Sequence, residues 1–230
     1  MMTLKMIGTD WLAIKAHWWR LLIMAAIVAM FGFVGMNMVI IPIGAYMAIA
    51  FSMNAFAVEE KGKLEHLYLS LPLSRSNIVR GRFAFAAFLL AFALVACGLI
   101  VALTSTSLDF GLFGARGFLS IEMQPKMIAL ICCLGFAFGG FMNLSMYPIM
   151  FRMGYEKGKV FGFIIPAFVS AALFGGLGIL MGSQMELIVS WLAYWAENPV
   201  LVGATMLGIG VALFLVSYLV SQWFYNRRSL

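Results

Sequence analysis

Three cysteines, two histidines and nine acidic residues are the side chains here best suited to ligate a metal, and with serine, threonine, lysine and tyrosine they are the candidates for nucleophile, acid or base. Their spacing assembles no catalytic or metal constellation. Cys97, Cys132 and Cys133 lie inside long apolar runs with no CxxC and no neighbouring histidine, so they read as small buried hydrophobes. His17 and His66 stand on different polar segments. There is no HExxH, no GxSxG, no carboxylate pair inside an apolar run, and no GxxxxGK[ST] loop to hold nucleotide phosphates. The expectation is therefore a chain with no catalytic residue, no metal site and no cofactor of its own. What remains is the chemistry of ion pairs and hydrogen bonds. The acidic pair Glu59-Glu60 is followed by Lys61 and Lys63, and the polar groups within the apolar stretches are Asn54 and Asn143 with Ser52, Ser145, Ser170 and Ser217.

Those stretches dominate the composition. Hydrophobic residues make up 64% of the 230 and charged residues 10%, against roughly 45–50% and about 25% in soluble domains. A soluble fold so apolar would leave large greasy patches facing water. The chain must be a single polytopic membrane domain over 1–230, with the lipid bilayer as its solvent. Its net charge of +6 is then no sign of nucleic acid, because basic residues of membrane proteins gather at one face of the bilayer. No cleaved signal peptide is expected, since the first apolar run starts only at Leu21 and outlasts signal-peptide length.

A hydrocarbon core about 30 Å thick needs roughly 20 apolar helical residues. Six such spans are expected: Leu21–Val34 with its neighbours, Met38–Val58, Phe83–Leu103, Met127–Phe151, Val160–Met181 and Val200–Gln222. The fold class is all-α, because continuous apolar runs in lipid must satisfy their own backbone hydrogen bonds as helices, whereas barrel strands alternate apolar and polar. With the N-terminus inside, 13 of the 15 basic residues fall in inner segments and only Arg116 and Lys126 fall outside, so both termini are expected to be cytoplasmic. Residues 1–20 carry Leu4, Ile7, Trp11, Ile14 and Trp18 at helical spacing among charges, the pattern of an amphipathic helix lying in the inner interface. A short outer helix is expected over 182–199, from the stripe Met185, Ile188, Trp191, Leu192 and Trp195; loop 104–124 receives no role.

No span carries an ionisable group near its centre, the usual mark of proton- or sodium-coupled transport. Asn54 and Asn143 are either interhelical glue or the polar spots of a translocation path. Small-residue pairs, Gly135 with Gly139, Ala171 with Gly175, Ala172 with Gly176, and Ala204 with Gly208, mark candidate packing faces. Pro42 and Pro166 are expected to kink their spans.

Residues 59–82, EEKGKLEHLYLSLPLSRSNIVRGR, form the most structured polar segment. Leu64, Leu67, Tyr68 and Leu71 recur as the apolar face of a helix. Pro72 stops that helix, and Ser74 is placed to cap a second one carrying Arg75, Ile78, Val79, Arg80 and Arg82 into the third span. Two readings follow from the residues: a rigid elbow able to pass a push to the spans, or a structured surface lying on lipid headgroups.

The whole chain resembles the membrane-spanning (permease) subunits of type-2 ATP-binding-cassette exporters. The resemblance is carried by the amphipathic N-terminus, six spans, the short outer helix, and above all Leu71-Pro72-Leu73-Ser74-Arg75 followed by Ile78-Val79 and Arg82. It implies that the 59–82 segment couples to a separate ATPase subunit that binds the ATP. It makes Glu59, Glu60, Lys61, Lys63, Leu64, Leu67, Tyr68 and Arg75 the candidate docking residues, with Arg152–Lys159 as a second contact. It further implies a second permease copy or paralogue, no enzymatic activity in this chain, and a place in the plasma (inner) membrane of a bacterium. Two other classes remain: a non-transporting assembly or regulatory subunit, and an ion-coupled secondary transporter.

Overall fold

The computed structural model describes residues 18–33, 37–62, 75–107, 125–162, 164–166, 168, 172, 194 and 197–227. The described residues are helical, with no strand among them. We number the helices α1 (Trp18–Phe33), α2 (Asn37–Ser52), α3 (Asn54–Lys61), α4 (Arg75–Ser107), α5 (Pro125–Met153), α6 (155–162) and α7 (Pro199–Arg227).

Among the described residues, four helical stretches are long and apolar enough to cross a bilayer: Ile40–Glu60, Ser76–Leu103, Lys126–Met153 and Pro199–Arg227. They coincide with the second, third, fourth and sixth expected spans. The first expected span corresponds to α1, which at 16 residues rises about 24 Å. Most of the fifth, Val160–Met181, lies outside the described residues, as do residues 1–17 of the expected amphipathic helix and most of 104–124 and 182–199.

The helices pack in a definite sense. Gly139 meets Leu90 and Gly135 meets Leu94, so α4 runs antiparallel to α5. Gly203 approaches Cys133, and Gly140 approaches Gly210, so α5 and α7 run parallel with matching seven-residue steps. The stretch formed by α2 and α3 is the central one: 61% of its apolar window is buried, against 22% for α7. Ile40, Ile41, Ala45, Ile49 and Met53 from this stretch join Leu90, Met146 and Tyr147 in the main core cluster.

The α2–α3 stretch departs from helix at Met53. Ser52 Oγ donates to the Ile49 carbonyl at 2.6 Å, and Asn54 Nδ2 donates to the Phe51 carbonyl at 2.9 Å. Side chains that bond back to their own helix compete with its ladder and bend it. Pro42 lies inside α2, and Pro148, which the sequence reading passed over, lies inside α5.

Small residues permit the close crossings, but not all of the expected ones. A Cβ on Gly139 would lie 2.7 Å from Leu90, and one on Gly140 would lie 2.8 Å from the backbone oxygen of Gly210. By contrast Gly208 has nothing within 4 Å and Ala204 is exposed. Among the described residues, the face of α7 that packs is therefore Gly203 and Gly210, not Ala204 and Gly208. The spacing of small residues shows that a helix has a smooth stripe; the facing helix decides which stripe is used.

Replacing Gly140 by Ala presses a methyl against backbone that cannot give way, and is expected to cost about 1–3 kcal/mol. Gly208→Ala should change stability by less than about 0.5 kcal/mol. Thermal unfolding of the two purified variants in one detergent checks the contrast; equal losses would contradict the assigned α5–α7 face.

Candidate coupling site at the basic end of the bundle

The ends of α2–α3, α5 and α7 and the beginning of α4 meet at one end of the bundle. The charges there include Glu59, Glu60, Arg80, Arg82, Arg152, Lys157, Lys159 and Arg227, while the described residues at the opposite end carry Lys126 and Glu197.

Arg82 lies at the centre of the basic end, with only 1% of its surface exposed. A guanidinium stays charged at any physiological pH and is buried only with an opposite charge. Glu59 supplies it: Arg82 Nη2 donates to Glu59 Oε2 at 2.7 Å. The face of the guanidinium also lies over Phe56, 4.8 Å from the ring centroid. Phe56 and Glu59 are three apart on α3, so one turn presents both the ring and the carboxylate.

The residues of α4 explain why Arg82 points inward. Arg75, Ile78, Val79 and Arg82 follow i, i+3, i+4, i+7, one face of a helix. Ile78 and Val79 are buried at 3% and 0%, which turns Arg82 inward with them. The Ile-Val-x-x-Arg part of the string that carries the family resemblance is thus the inward face of α4.

Glu60, next in sequence, performs a different task. Its Oε2 accepts hydrogen bonds from the backbone N–H groups of Tyr155 and of Glu156, the latter at 3.1 Å. These are the first amides of α6, which have no partner within their own helix. A carboxylate there also opposes the positive end of the helix dipole. Gly154 makes the arrangement possible. Its φ of +78° suits glycine, its N–H donates to the Met150 carbonyl at 2.9 Å to close α5, and a Cβ on it would lie 3.2 Å from Glu60 Oε2. Gly154 has no side chain with which to cap α6, and Glu60 provides the cap from another part of the chain.

Aromatic rings fill the space behind these polar contacts. Phe83 meets Tyr147 at 5.0 Å and Tyr218 at 5.5 Å between centroids, Phe56 meets Phe151 at 5.0 Å, and Phe151 meets Tyr225 at 5.4 Å, all edge to face. The Tyr147 hydroxyl donates to Ser52 Oγ at 2.8 Å, and Arg80 Nε donates to the Tyr218 hydroxyl at 3.1 Å. A cleft of about 190 Å³ lies between the acidic pair and the rings, lined among others by Glu59, Glu60, Phe151 and Tyr155.

Of the residues expected to dock a partner, Glu59 is therefore engaged with Arg82, and Glu60, though exposed, is engaged with α6. The backbones of Lys61 and Arg75 are helical; Arg75 opens α4 directly after Ser74, the position expected for its cap. Lys63, Leu64, Leu67 and Tyr68 lie outside the described residues, as do Pro72 and Ser74. The two polar candidates within spans are far from this end or turned to local use. Asn54 bonds its own helix, while Asn143 is fully buried between α5 and α7, where Ser217 Oγ donates to its Oδ1 at 2.7 Å. Sequence reasoning missed the Glu59–Arg82 pair. The available signal was a charge at an apolar position of the Ile78-Val79-Arg82 face, which demands a buried counter-charge.

An all-helical bundle with several apolar spans and one basic end defines a multi-pass membrane protein. A model of the ABC-2 family of transporter proteins matches residues 5–226. The chain belongs to that family: it is a membrane-embedded permease component of an ABC transporter, a system that works with an ATPase partner. No curated protein and no solved structure matches it.

Removing one member of a buried pair strands the other. Glu59→Leu should lower stability by about 3 kcal/mol, and Glu59→Leu with Arg82→Leu should lose less than Glu59→Leu alone. Thermal unfolding of the single and double variants measures the coupling; strictly additive losses would show that the two side chains do not stabilise each other.

Proposed function

We propose that this chain is the permease of an ABC exporter, driven through its 59–82 segment by a separate ATPase that binds and hydrolyses the ATP. The chain itself carries no catalytic residue, cofactor or metal. Its basic end and both termini face the cytoplasm of a bacterium and its spans lie in the inner membrane, as the distribution of lysine and arginine favours. Two permeases, identical or paralogous, enclose the path; Asn143, buried against Ser217, acts as interhelical glue rather than as a polar spot on it, and Asn54, nearer the cytoplasmic end, is the remaining polar candidate. Outward direction rests on the resemblance to type-2 exporters.

The observation that carries this reading is the double attachment of the acidic pair. One carboxylate ties α3 to α4 and its neighbour ties α3 to α6, so the two helices that flank residues 63–74 are joined to each other, and the first of them also to α6. A force applied there by a docked partner passes into the two helices that flank the stretch, α3 and α4. Leu64, Leu67 and Tyr68 form the apolar docking face, Lys61, Lys63 and Arg75 its charged border, and the exposed Glu156 and Lys157 of α6 the second contact. Glu59 and Glu60 hold the elbow in place, and the exposed position of Glu60 leaves it within reach of the partner.

The test uses the chain together with the ATPase with which it co-purifies. Leu64→Glu with Leu67→Glu should abolish retention of the ATPase. Glu60→Gln should leave retention intact while lowering transport severalfold for the same ATP consumption. Full transport by the double variant would rule out the docking assignment. Uphill transport by the chain alone in ATP-free vesicles under an ion gradient would favour a coupled carrier, and no flux under any energy source would favour an assembly subunit.

A further inference from the structure

A second cleft, independent of the coupling site and of the transport reading, opens between the ends of α5 and α7. Its volume is about 350 Å³ and its lining is Arg152, Trp223, Phe224 and Arg227. We propose that it is a binding site for the phosphate headgroup of an anionic phospholipid from the leaflet at the basic end of the bundle.

The two arginines come from different helices and are held in the same manner. The Arg152 guanidinium lies 5.1 Å from the centroid of Phe224, and that of Arg227 lies 4.1 Å from the centroid of Trp223. The two rings pack against each other at 5.0 Å. Stacking uses the face of a guanidinium and leaves its in-plane N–H groups directed away from the ring. Neither arginine has an acidic partner among the described residues, where the ion pair present is that of Arg82 with Glu59. A basic residue in the last turn of a helix is explained singly by the helix dipole. Two such residues lining one cleft repel each other, and an anion between them removes that cost. The planar donor fork suits a phosphate, whose oxygens accept two parallel hydrogen bonds.

The surface leading away from the cleft selects a lipid over a free anion. Val216, Leu219, Trp223 and Arg227 follow i, i+3, i+7, i+11 along α7, one face of the helix. Val216, Leu219 and Trp223 are 47%, 62% and 49% exposed, so an apolar stripe wide enough for an acyl chain runs directly from the guanidinium into the membrane. Trp223 sits at the boundary, where indole rings favour the headgroup level.

The full-length chain in neutral detergent is titrated with phosphatidylglycerol, with phosphatidylcholine of the same acyl chains, and with inorganic phosphate, and bound lipid is counted by native mass spectrometry. Phosphatidylglycerol should be retained roughly tenfold better than phosphatidylcholine. Arg152→Gln and Arg227→Gln should each reduce that preference severalfold, and together abolish it. Arg80→Gln, an equal loss of charge at the same end outside the cleft, should leave it unchanged. Should the double variant not fold, the two single variants decide. Equal retention of both lipids, an unchanged preference in either single variant, or full displacement of phosphatidylglycerol by millimolar phosphate would overturn the assignment, the last by marking a free-anion site.

Discussion

A guanidinium cannot shed its charge, so burying one obliges the surrounding chain to bring a carboxylate to it. Arg82 imposes that obligation at the basic end of this bundle. To meet it, α3 must lie against α4 with Glu59 turned inward, and Phe56 one turn earlier then covers the guanidinium. Once Glu59 is fixed, Glu60 projects at a set angle from the same turn and meets the first amides of α6. That contact in turn requires a residue without a side chain at 154, in a backbone conformation that ends α5. Three separate parts of the chain are positioned by one buried cation.

The rest of the bundle obeys the opposite rule. Between its ends the described spans hold no ionisable carboxylate, amine or guanidine, and polarity at depth is limited to pairs such as Tyr147 with Ser52 and Ser217 with Asn143. Such pairs add little energy in lipid but fix rotation about the helix axis. The Glu59–Arg82 end is held by an ion pair, and the helices beyond it by apolar side chains and close glycine contacts.

Much of this was legible in the residues. Continuous apolar runs gave the helical class and four spans that coincide with the described ones, and Gly135 with Gly139 marked a true packing face. The failures have a common physical origin. Ala204 and Gly208 satisfy the same spacing yet face away from every described helix, because periodicity identifies a face without identifying its neighbour. The Glu59–Arg82 pair spans 23 positions, a separation fixed by tertiary packing and by no local period. The Glu60 cap was hidden for a similar reason: capping is normally read within a few residues of a helix start, and here it arrives from 95 positions earlier. What the sequence did contain was the contradiction of an arginine on an apolar face, the Ile78-Val79-x-x-Arg82 part of the string that carries the family resemblance.

The length of α4 has a mechanical consequence. Its 33 residues extend about 50 Å, well beyond the roughly 30 Å of hydrocarbon, and no proline interrupts them. Arg82 pins this rod near one end, leaving a short arm of about 10 Å toward Arg75 and a long arm of about 37 Å toward Ser107. Were the rod to turn about that pin like an oar in its rowlock, a sideways stroke of about 1 Å on the short arm would sweep the far tip through nearly 4 Å, by the ratio of the two arms; the contacts of Leu90, Leu94 and Cys97 along the long arm would have to travel with it.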